Sequence, residues 1–313
     1  MESSNQTLTT ENLSALFGSS EEELSQFCKS ELERYSFDYR VIEGSEREAL
    51  VGRVEEFIGS PDLSSAGVER MGDWEKGWQE NLDEFRDSGF DEEKLVPKYY
   101  KKLVPIRLNQ EYVMPLVENF VINITRVFRS WIFKKYLQDV DTIYEFGCGP
   151  AHHLVALAKI FPKKKLVGLD WARSSQKIIE LIAKNEKLNM EGFHFNFFEP
   201  NLNIQLEENS GVYTFGALEQ VGPRHEEFIQ YLLSNKPRRI INIEGIHELY
   251  DSKVPLDSLA LRYHKRRKYL DGYLTRIREL EAEGKAKIIA IHHQKFGNLY
   301  DDPHSYVVWE PVH

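Results

Sequence analysis

The chain has 313 residues, 41% of them hydrophobic and 29% charged, with 50 acidic and 40 basic side chains. This composition is typical of a globular protein with one large or two ordinary domains, and it excludes disordered, collagen-like and low-complexity classes. Two cysteines, Cys28 and Cys148, are too few for a disulfide framework or a cysteine-based zinc site.

The charge is distributed unevenly along the chain. Residues 1–95 carry 24 acidic and 9 basic side chains, whereas residues 96–313 carry 26 acidic and 31 basic ones. The overall acidity argues against nucleic acid as a partner. No apolar run of about 18 residues and no signal-like N-terminal segment is visible in the sequence. We therefore expect a cytoplasmic protein in two parts, without nucleic-acid or membrane partners.

The acidic N-terminal region, residues 1–106, is predicted to be mainly helical. Apolar residues recur at helical spacing from Ser20 to Tyr35 and from Asp73 to about Phe85. Trp74 and Trp78 lie on one stripe of the second segment, and we interpret them as packing against the following domain, with ligand contact as the alternative. The region is expected to form a cap, a substrate-contacting surface or the interface of a homodimer.

From Thr142 onward, short apolar runs alternate with amphipathic helical segments. Seven strands are predicted, at Thr142–Phe146, Leu166–Leu169, Phe193–Phe197, Val212–Phe215, Arg239–Ile243, Lys287–His292 and Tyr306–Trp309. Helices are predicted at Pro115–Leu137, Ala151–Ile160, Ser174–Lys187, His225–Leu233 and, as one long segment, Leu256–Glu283. The predicted fold class is α/β, a doubly wound, seven-stranded, mostly parallel sheet with a C-terminal antiparallel hairpin, preceded by the mainly helical N-terminal region.

A glycine turn follows the first of these strands, in the run Y-E-F-G-C-G-P-A. Gly147 and Gly149 permit unusual φ values there and let a ligand touch the backbone. The second strand ends in G-L-D-W, and Asp170 stands 23 residues after Gly147, a spacing suited to hydrogen bonds with ribose hydroxyls. His152 occupies the position of the third glycine of a dinucleotide fingerprint, and Glu145 would repel a phosphate. The pattern favours a ribose-containing ligand with a cationic part.

The run E-F-G-C-G-P-A resembles the first motif of the class I S-adenosylmethionine-dependent methyltransferases. The spacing to L-D-W and the final hairpin are similar to the same superfamily, and the resemblance covers about Arg107 to His313. The chain departs from the fuller E/D-x-G-x-G-x-G pattern at Ala151. The resemblance implies a methyltransferase domain over residues 107–313, S-adenosyl-L-methionine as cofactor and methyl transfer as the activity, without identifying a subfamily.

The resemblance also implies roles for residues at the first two strand ends. Gly147 and Gly149 would let the backbone pass beside the methionine part of the cofactor, and Glu145 would hold that loop or reach the amino group. Asp170 would bind both ribose hydroxyls. Trp171 would lie against the adenine face, where aromatic stacking contributes about 1–3 kcal/mol.

Further roles are implied at the third and fourth strand ends. Phe198 and Glu199 would line the adenine edge. Ala217 to Gln220 would lie under the sulfonium and face the acceptor. Arg107 or Gln110 would reach the cofactor carboxylate.

Methylation of a hydroxyl normally requires a positioned base or a metal. Glu219, directly after the fourth strand, and His225, at the start of the next helix, are the predicted catalytic residues. Glu244, His247 and Glu248, after the fifth strand, are further candidates. No carboxylate set with metal-binding spacing stands out, so no metal ligand is predicted.

These assignments have structural alternatives. The glycines could shape a tight turn, Asp170 could cap the following helix, and Trp171 could belong to the core. Glu199 could be a solvated acid, and His225 a helix-start residue without a chemical role. The basic run His264 to Lys268 is either solvated surface or a contact for an anionic substrate group.

The sequence favours a methyltransferase acting on a small or medium-sized acceptor, with the oxygen of a sugar or natural-product-like molecule first and nitrogen next. A nicotinamide-dependent oxidoreductase is the first rival, and His152 and Glu145 disfavour it. A non-enzymatic binding protein is the second rival. The joint presence of Glu145, Gly147, Gly149 and Asp170 argues against that rival.

Overall fold

The computed structural model describes residues 5–312. Residues 1–4, which begin the segment for which no secretory signal is expected, and residue 313 lie outside the described part. The N-terminal part contains β1 (Asn5–Thr7), α1 (Thr10–Phe17), α2 (Glu21–Arg34), β2 (Asp38–Val41), α3 (Gly44–Gly59) and α4 (Met71–Asp87). The helices predicted near residues 20–35 and 73–85 are confirmed as α2 and α4.

The rest of the chain alternates strands and helices as the sequence predicts. Its first elements are β3 (Ile106–Leu108), β4 (Glu111–Pro115), α5 (Phe120–Tyr136), β5 (Thr142–Phe146), α6 (His152–Ile160), β6 (Lys165–Asp170) and α7 (Arg173–Glu186). They are followed by β7 (Met190–His194), β8 (Ser210–Phe215), α8 (Glu226–Asn235), β9 (Arg239–Glu244), α9 (Pro255–Arg267), α10 (Tyr273–Ala282), β10 (Ala286–His292), β11 (Phe296–Gly297) and β12 (Ser305–Pro311).

The main sheet has seven strands in the order β10-β12-β9-β8-β5-β6-β7. Strands β9, β8, β5, β6 and β7 are mutually parallel, whereas β12 runs antiparallel to both β9 and β10. The predicted doubly wound sheet with a C-terminal antiparallel hairpin is therefore confirmed. The strand order reverses between β5 and β8, the place where open parallel sheets bind ligands at their carboxyl ends.

Helices cover both faces of this sheet and form two hydrophobic clusters. On one face, α5, α6 and α7 contribute Phe128, Trp131, Leu154 and Ile178 to a cluster that also contains Phe17 of α1. On the other face, α8 and α10 pack their apolar residues against β5, β8 and β9. The inner strands β5 and β8 are thereby removed from water on both sides. Within residues 5–312, no helix is both long and apolar enough to cross a membrane.

A second sheet joins the N-terminal region to the rest of the chain. Its strands follow the antiparallel order β1-β2-β4-β3-β11. Besides its predicted helices, the N-terminal region thus contributes β1 and β2 to this sheet. The strand β11 comes from the segment of chain that connects the hairpin strands β10 and β12. The boundary predicted at 106/107 falls inside β3, where the two parts share hydrogen bonds.

Three predicted element boundaries differ from the structure. The third strand of the parallel run is Met190–His194 rather than Phe193–Phe197, because Phe195 and Phe197 pack into the core beyond the strand end. The helix predicted from Pro115 begins at Phe120, after β4. The long helix predicted over Leu256–Glu283 is broken into α9 and α10, since Lys268 and Gly272 have φ values of 54° and 77°.

Candidate active site

The glycine turn between β5 and α6 is attached to the end of β6. The amides of Gly147 and Cys148 donate to the carbonyl of Leu169 at 2.7 and 3.1 Å. Gly147 and Gly149 have φ values of 75° and 49°, which disfavour any side chain. A Cβ at Gly147 would collide with Ala217, and one at Gly149 would lie 3.0 Å from the Trp78 ring. Both positions therefore require glycine.

A cavity of about 680 Å³, counting the part open to solvent, lies beside this turn at the carboxyl ends of β5, β6 and β8. Seven of the predicted site residues line it: Glu145, Gly147, Gly149, Asp170, Trp171, Ala217 and Gln220. Four others, Phe198, Glu199, Glu219 and His225, are not part of its wall.

Asp170 is buried and points toward the glycine turn. One carboxylate oxygen accepts the amide of Gly149 at 2.8 Å, and the other accepts the amide of Ala172 at 2.8 Å. Burial raises the pKa of Asp170 to about 6, although these two amides oppose the shift. The first amides of α7, at Arg173 and Ser174, bond to Glu75 instead. Asp170 therefore does not cap the first turn of α7, and each of its oxygens keeps a lone pair for a ligand.

Glu145 lies at the end of β5 and is 1% exposed. Its Oε2 atom has no hydrogen-bond partner among the described residues. Burial raises the pKa of Glu145 well above its usual value, while Tyr213 and Arg129 oppose the shift. A cationic group entering the cavity would favour the ionised form of this acid.

Of the residues assigned to the adenine side, only some lie at the cavity. Trp171 lines the cavity, and Phe198 stacks behind it with ring centroids 6.3 Å apart. Glu199 is exposed. Because the third strand ends at His194, the rings that reach the cavity from this segment are those of Phe195 and Phe197.

The loop after β8 is held in place by Glu244 at the end of β9. The Glu244 carboxylate accepts the amides of Ala217, Leu218 and Glu219 at 3.1–3.3 Å. Burial raises the pKa of Glu244 to about 7 despite these bonds. This candidate base therefore acts in the structure as a loop anchor.

Glu219 is partly buried beside the cavity wall. Its Oε1 accepts a hydrogen bond from Gln220, which does line the cavity, at 3.0 Å. Burial, together with the carboxylates of Asp301 and Glu244, raises the pKa of Glu219 well above its usual value. The Glu219 carboxyl group thus lies one hydrogen bond from the cavity wall, and a raised pKa suits a general base.

His225 lies farther from the cavity. It stands at the N-cap position of α8, where its Nε2 contacts the carbonyl of Asp271 at 2.9 Å and its ring packs edge-on against Tyr273. This placement matches the structural alternative given for it. His247 and Glu248 form a short 3₁₀ turn after β9, and neither lines the cavity.

Arg107 and Gln110 do not approach the cavity, contrary to the expectation that they reach the cofactor carboxylate. Arg107 is 1% exposed, and its Nη2 donates to Asp257 and Asp302 at 3.3 and 3.1 Å. Gln110 donates to the same Asp257 at 2.7 Å. Asp257, His293 and Asp302 also bring one possible metal-ligand atom each within 4.8 Å of one another. The guanidinium of Arg107 already balances these carboxylates.

The basic run His264 to Lys268 makes structural contacts and does not line the cavity. His264 is buried against Asp301 at 3.0 Å, and Arg267 donates to the backbone and hydroxyl of Ser64 and to Tyr269. Lys265 is exposed. Only part of the run is solvated surface, and none of its residues lines the cavity where it could contact an anionic substrate group.

Much of the cavity wall comes from residues outside the predicted cofactor and catalytic sites, among them the tryptophans for which ligand contact is the alternative interpretation. Trp74 and Trp78 of α4, Tyr99 and Tyr100 of the following loop, and His152 and His153 of α6 all line it. The two tryptophans were recognisable as an aromatic pair on one helical stripe. Nothing in the local sequence indicates that the segment carrying the tyrosines reaches the cavity.

Arg129 was also missed. It lies on α5 directly behind the cavity wall and donates to the carbonyl of His152 and to Nδ1 of His153, both at 3.3 Å. Within residues 5–312 no carboxylate pairs with it, and burial, together with Arg126, lowers its pKa to about 10. The available signal was an arginine on the apolar face of a helix, flanked by Phe128 and Trp131.

No protein-family profile and no curated protein matches the chain by sequence. Three solved structures illustrate the structural similarities. An O-methyltransferase of neocarzinostatin biosynthesis is 13% identical with a TM-score of 0.41, and the match covers 61% of this chain and 58% of that one. A methyltransferase from Aquifex aeolicus is 13% identical with a TM-score of 0.42, covering 59% and 89%.

The third structure is a geranyl diphosphate C-methyltransferase from Streptomyces coelicolor. It is 9% identical with a TM-score of 0.46, and the match covers 62% of this chain and 83% of that one. At these identities and TM-scores, the similarities establish neither a shared activity nor a shared substrate.

Proposed function

We propose that the protein is an S-adenosylmethionine-dependent methyltransferase. The observation that supports this most strongly is the cavity at the sheet's switch point, where a bare glycine turn lies between two buried carboxyl groups, Glu145 and Asp170. A nucleoside whose tail carries a positively charged amino group matches these groups, since Asp170 accepts hydroxyl donors and Glu145 prefers a cation.

The residues present fit this cofactor. Glu145 Oε2 is a buried acceptor that finds no partner in residues 5–312, and the turn at Gly147 and Gly149 leaves no room for side chains. Asp170 would hold the ribose and Trp171 would contact the adenine, with Phe198 supporting its ring. Glu199 is exposed, and we propose for it only a solvated contact near the adenine edge.

Arg129 replaces Arg107 and Gln110 as the proposed partner of the cofactor carboxylate. A buried guanidinium without a carboxylate carries a desolvation cost that an incoming anion removes. Its hydrogen bonds to His152 and His153 place it behind the first turn of α6, next to the cavity.

The same site disfavours a dinucleotide. A pyrophosphate at the glycine turn would meet Glu145, and burial lowers the pKa of His152 well below its usual value, so that ring is neutral. Neither side chain offers a positive charge to a phosphate.

We further propose O-methylation of a small or medium-sized acceptor, such as a sugar or a natural-product-like molecule, rather than N-methylation. S-adenosylmethionine supplies an activated methyl group when bound. A hydroxyl must still lose a proton to react, and Glu219 is a carboxyl with a raised pKa beside Gln220 of the cavity wall. Glu219 would accept that proton. The aromatic side chains that line the cavity would orient the acceptor and exclude water.

Calorimetric titration with S-adenosylhomocysteine and with NAD⁺ tests the proposed cofactor. We expect one molecule of S-adenosylhomocysteine to bind per chain and NAD⁺ not to bind. An Asp170→Ala variant is expected to lose most of the affinity. Binding of NAD⁺ without S-adenosylhomocysteine would refute the proposal.

A further inference from the structure

The N-terminal half of α4 forms one wall of the cavity. The rings of Trp74 and Trp78 stack with centroids 5.4 Å apart and planes 24° from parallel, and both rings line the cavity. Trp78 lies against the α-carbon of Gly149, the second glycine of the turn. We call these two residues the tryptophan wall.

The two halves of α4 are held in different ways. Its buried residues, Asn81, Leu82 and Phe85, all lie in the second half. Leu82 and Phe85 belong to the main hydrophobic cluster, which fixes that half by apolar burial. The first half, Met71 to Glu80, contains no buried residue. The position of the tryptophan wall therefore depends on other contacts.

Glu75 provides the most direct of these contacts. Its two carboxylate oxygens accept the amides of Arg173 and Ser174 at 2.6 and 3.2 Å. These amides open α7, directly after Asp170 and Trp171, and first-turn amides have no partner within their own helix. A carboxylate at this end also interacts favourably with the helix dipole. Glu75 thus links the tryptophan wall to the strand end that carries the ribose-binding acid.

We propose that Glu75 is a positioning residue that holds the tryptophan wall over the cofactor cavity and thereby sets the rate at which S-adenosylhomocysteine leaves. This inference rests on the proposed function, because it takes that cavity to be the cofactor site. Glu75 itself does not line the cavity. In this proposal it acts on the ligand by holding Trp74 and Trp78, in addition to its charge, which raises the pKa of Asp170.

The test measures release of radiolabelled S-adenosylhomocysteine after a chase with excess unlabelled compound. Glu75→Ala is expected to release the ligand about tenfold faster and to weaken its Kd by a similar factor. Glu75→Gln keeps one carbonyl acceptor and is expected to give an intermediate rate. Quenching of tryptophan fluorescence on binding should be smaller in Glu75→Ala, because the wall no longer closes on the ligand.

Glu80→Ala is the matched control, since Glu80 is an exposed acid of the same helix. It is expected to behave as the unmodified chain does. If the unmodified chain binds S-adenosylhomocysteine and both Glu75 variants release it at the unmodified rate, the role of Glu75 is refuted while the proposed function stands. If the unmodified chain does not bind the ligand, the proposed function fails and this inference fails with it.

Discussion

At the scale of single residues, the cavity owes its chemical character to buried acids whose pKa values are raised. Burial raises the pKa of Asp170 to about 6 and that of Glu145 well above its usual value. Both acids therefore take up a proton at a higher pH than ordinary carboxyl groups do. Hydroxyl donors and a positive charge both prefer the ionised form, so cofactor binding and loss of protons are linked.

This linkage predicts a pH dependence of cofactor affinity. Protonated acids predominate below their pKa values, so the affinity for S-adenosylhomocysteine should fall as the pH drops below about 6. Each protonated group weakens binding by up to about tenfold per pH unit. Calorimetry between pH 5 and 8 measures the effect, and Asp170→Asn should remove the part centred near pH 6. An affinity that is constant over this range would contradict the assignment.

A second residue-scale prediction concerns the base. Glu219→Gln keeps the size of the side chain but cannot accept a proton, so kcat with a hydroxyl acceptor should fall about 10²–10⁴-fold. The Kd for S-adenosylhomocysteine should stay within a factor of about two. Steady-state kinetics and calorimetry measure the two quantities separately. An unchanged kcat would remove Glu219 from the mechanism.

At the scale of elements, the sequence patterns predicted the central strands more accurately than the edges. Strands β5 and β8 are buried on both faces, so their apolar runs mark them clearly. The edge strand β7 has exposed positions, and the aromatic run that follows it looks like a strand although Phe195 and Phe197 pack into the core. Because the predicted strand ends at Phe197 and β7 ends at His194, the prediction puts Phe198 and Glu199 at the cavity in place of Phe195 and Phe197.

The position of His225 at the start of α8 gives an element-scale prediction. His225→Ala removes a hydrogen bond to the carbonyl of Asp271, which should cost about 1 kcal/mol of unfolding free energy. Because the ring does not reach the cavity, kcat should be unchanged at a temperature where the variant is folded. Urea denaturation and kinetics check both parts. A large loss of kcat without loss of stability would restore the catalytic role predicted for His225.

At the scale of the whole molecule, long-range contacts decide what local sequence cannot. The glycine turn and Asp170 were identified because their spacing lies within one strand–helix–strand unit. The tryptophan wall and Tyr99 reach the cavity, and Arg129 lies behind its wall, only because distant segments fold together. Arg107 was misassigned for the same reason, since its partners Asp257 and Asp302 lie about 150 residues or more along the chain.

The Arg107 cluster supports a whole-molecule prediction about stability. Arg107→Ala leaves two buried carboxylates without their cation and should lower the unfolding free energy by about 3–5 kcal/mol. Arg262→Ala breaks an exposed pair with Glu55 and should cost only about 0–1 kcal/mol. Urea denaturation compares the two variants. Weaker cofactor binding in Arg107→Ala without loss of stability would instead favour the carboxylate role first expected of Arg107.

The most direct measurement is a crystal structure of the protein with S-adenosylhomocysteine bound. We predict the ribose on the carboxylate of Asp170, the amino acid tail between Glu145 and Arg129, and the sulfur near Ala217. Density for the ligand away from β5 and β6, or an Asp170 side chain turned away from the sugar, would contradict the proposed function.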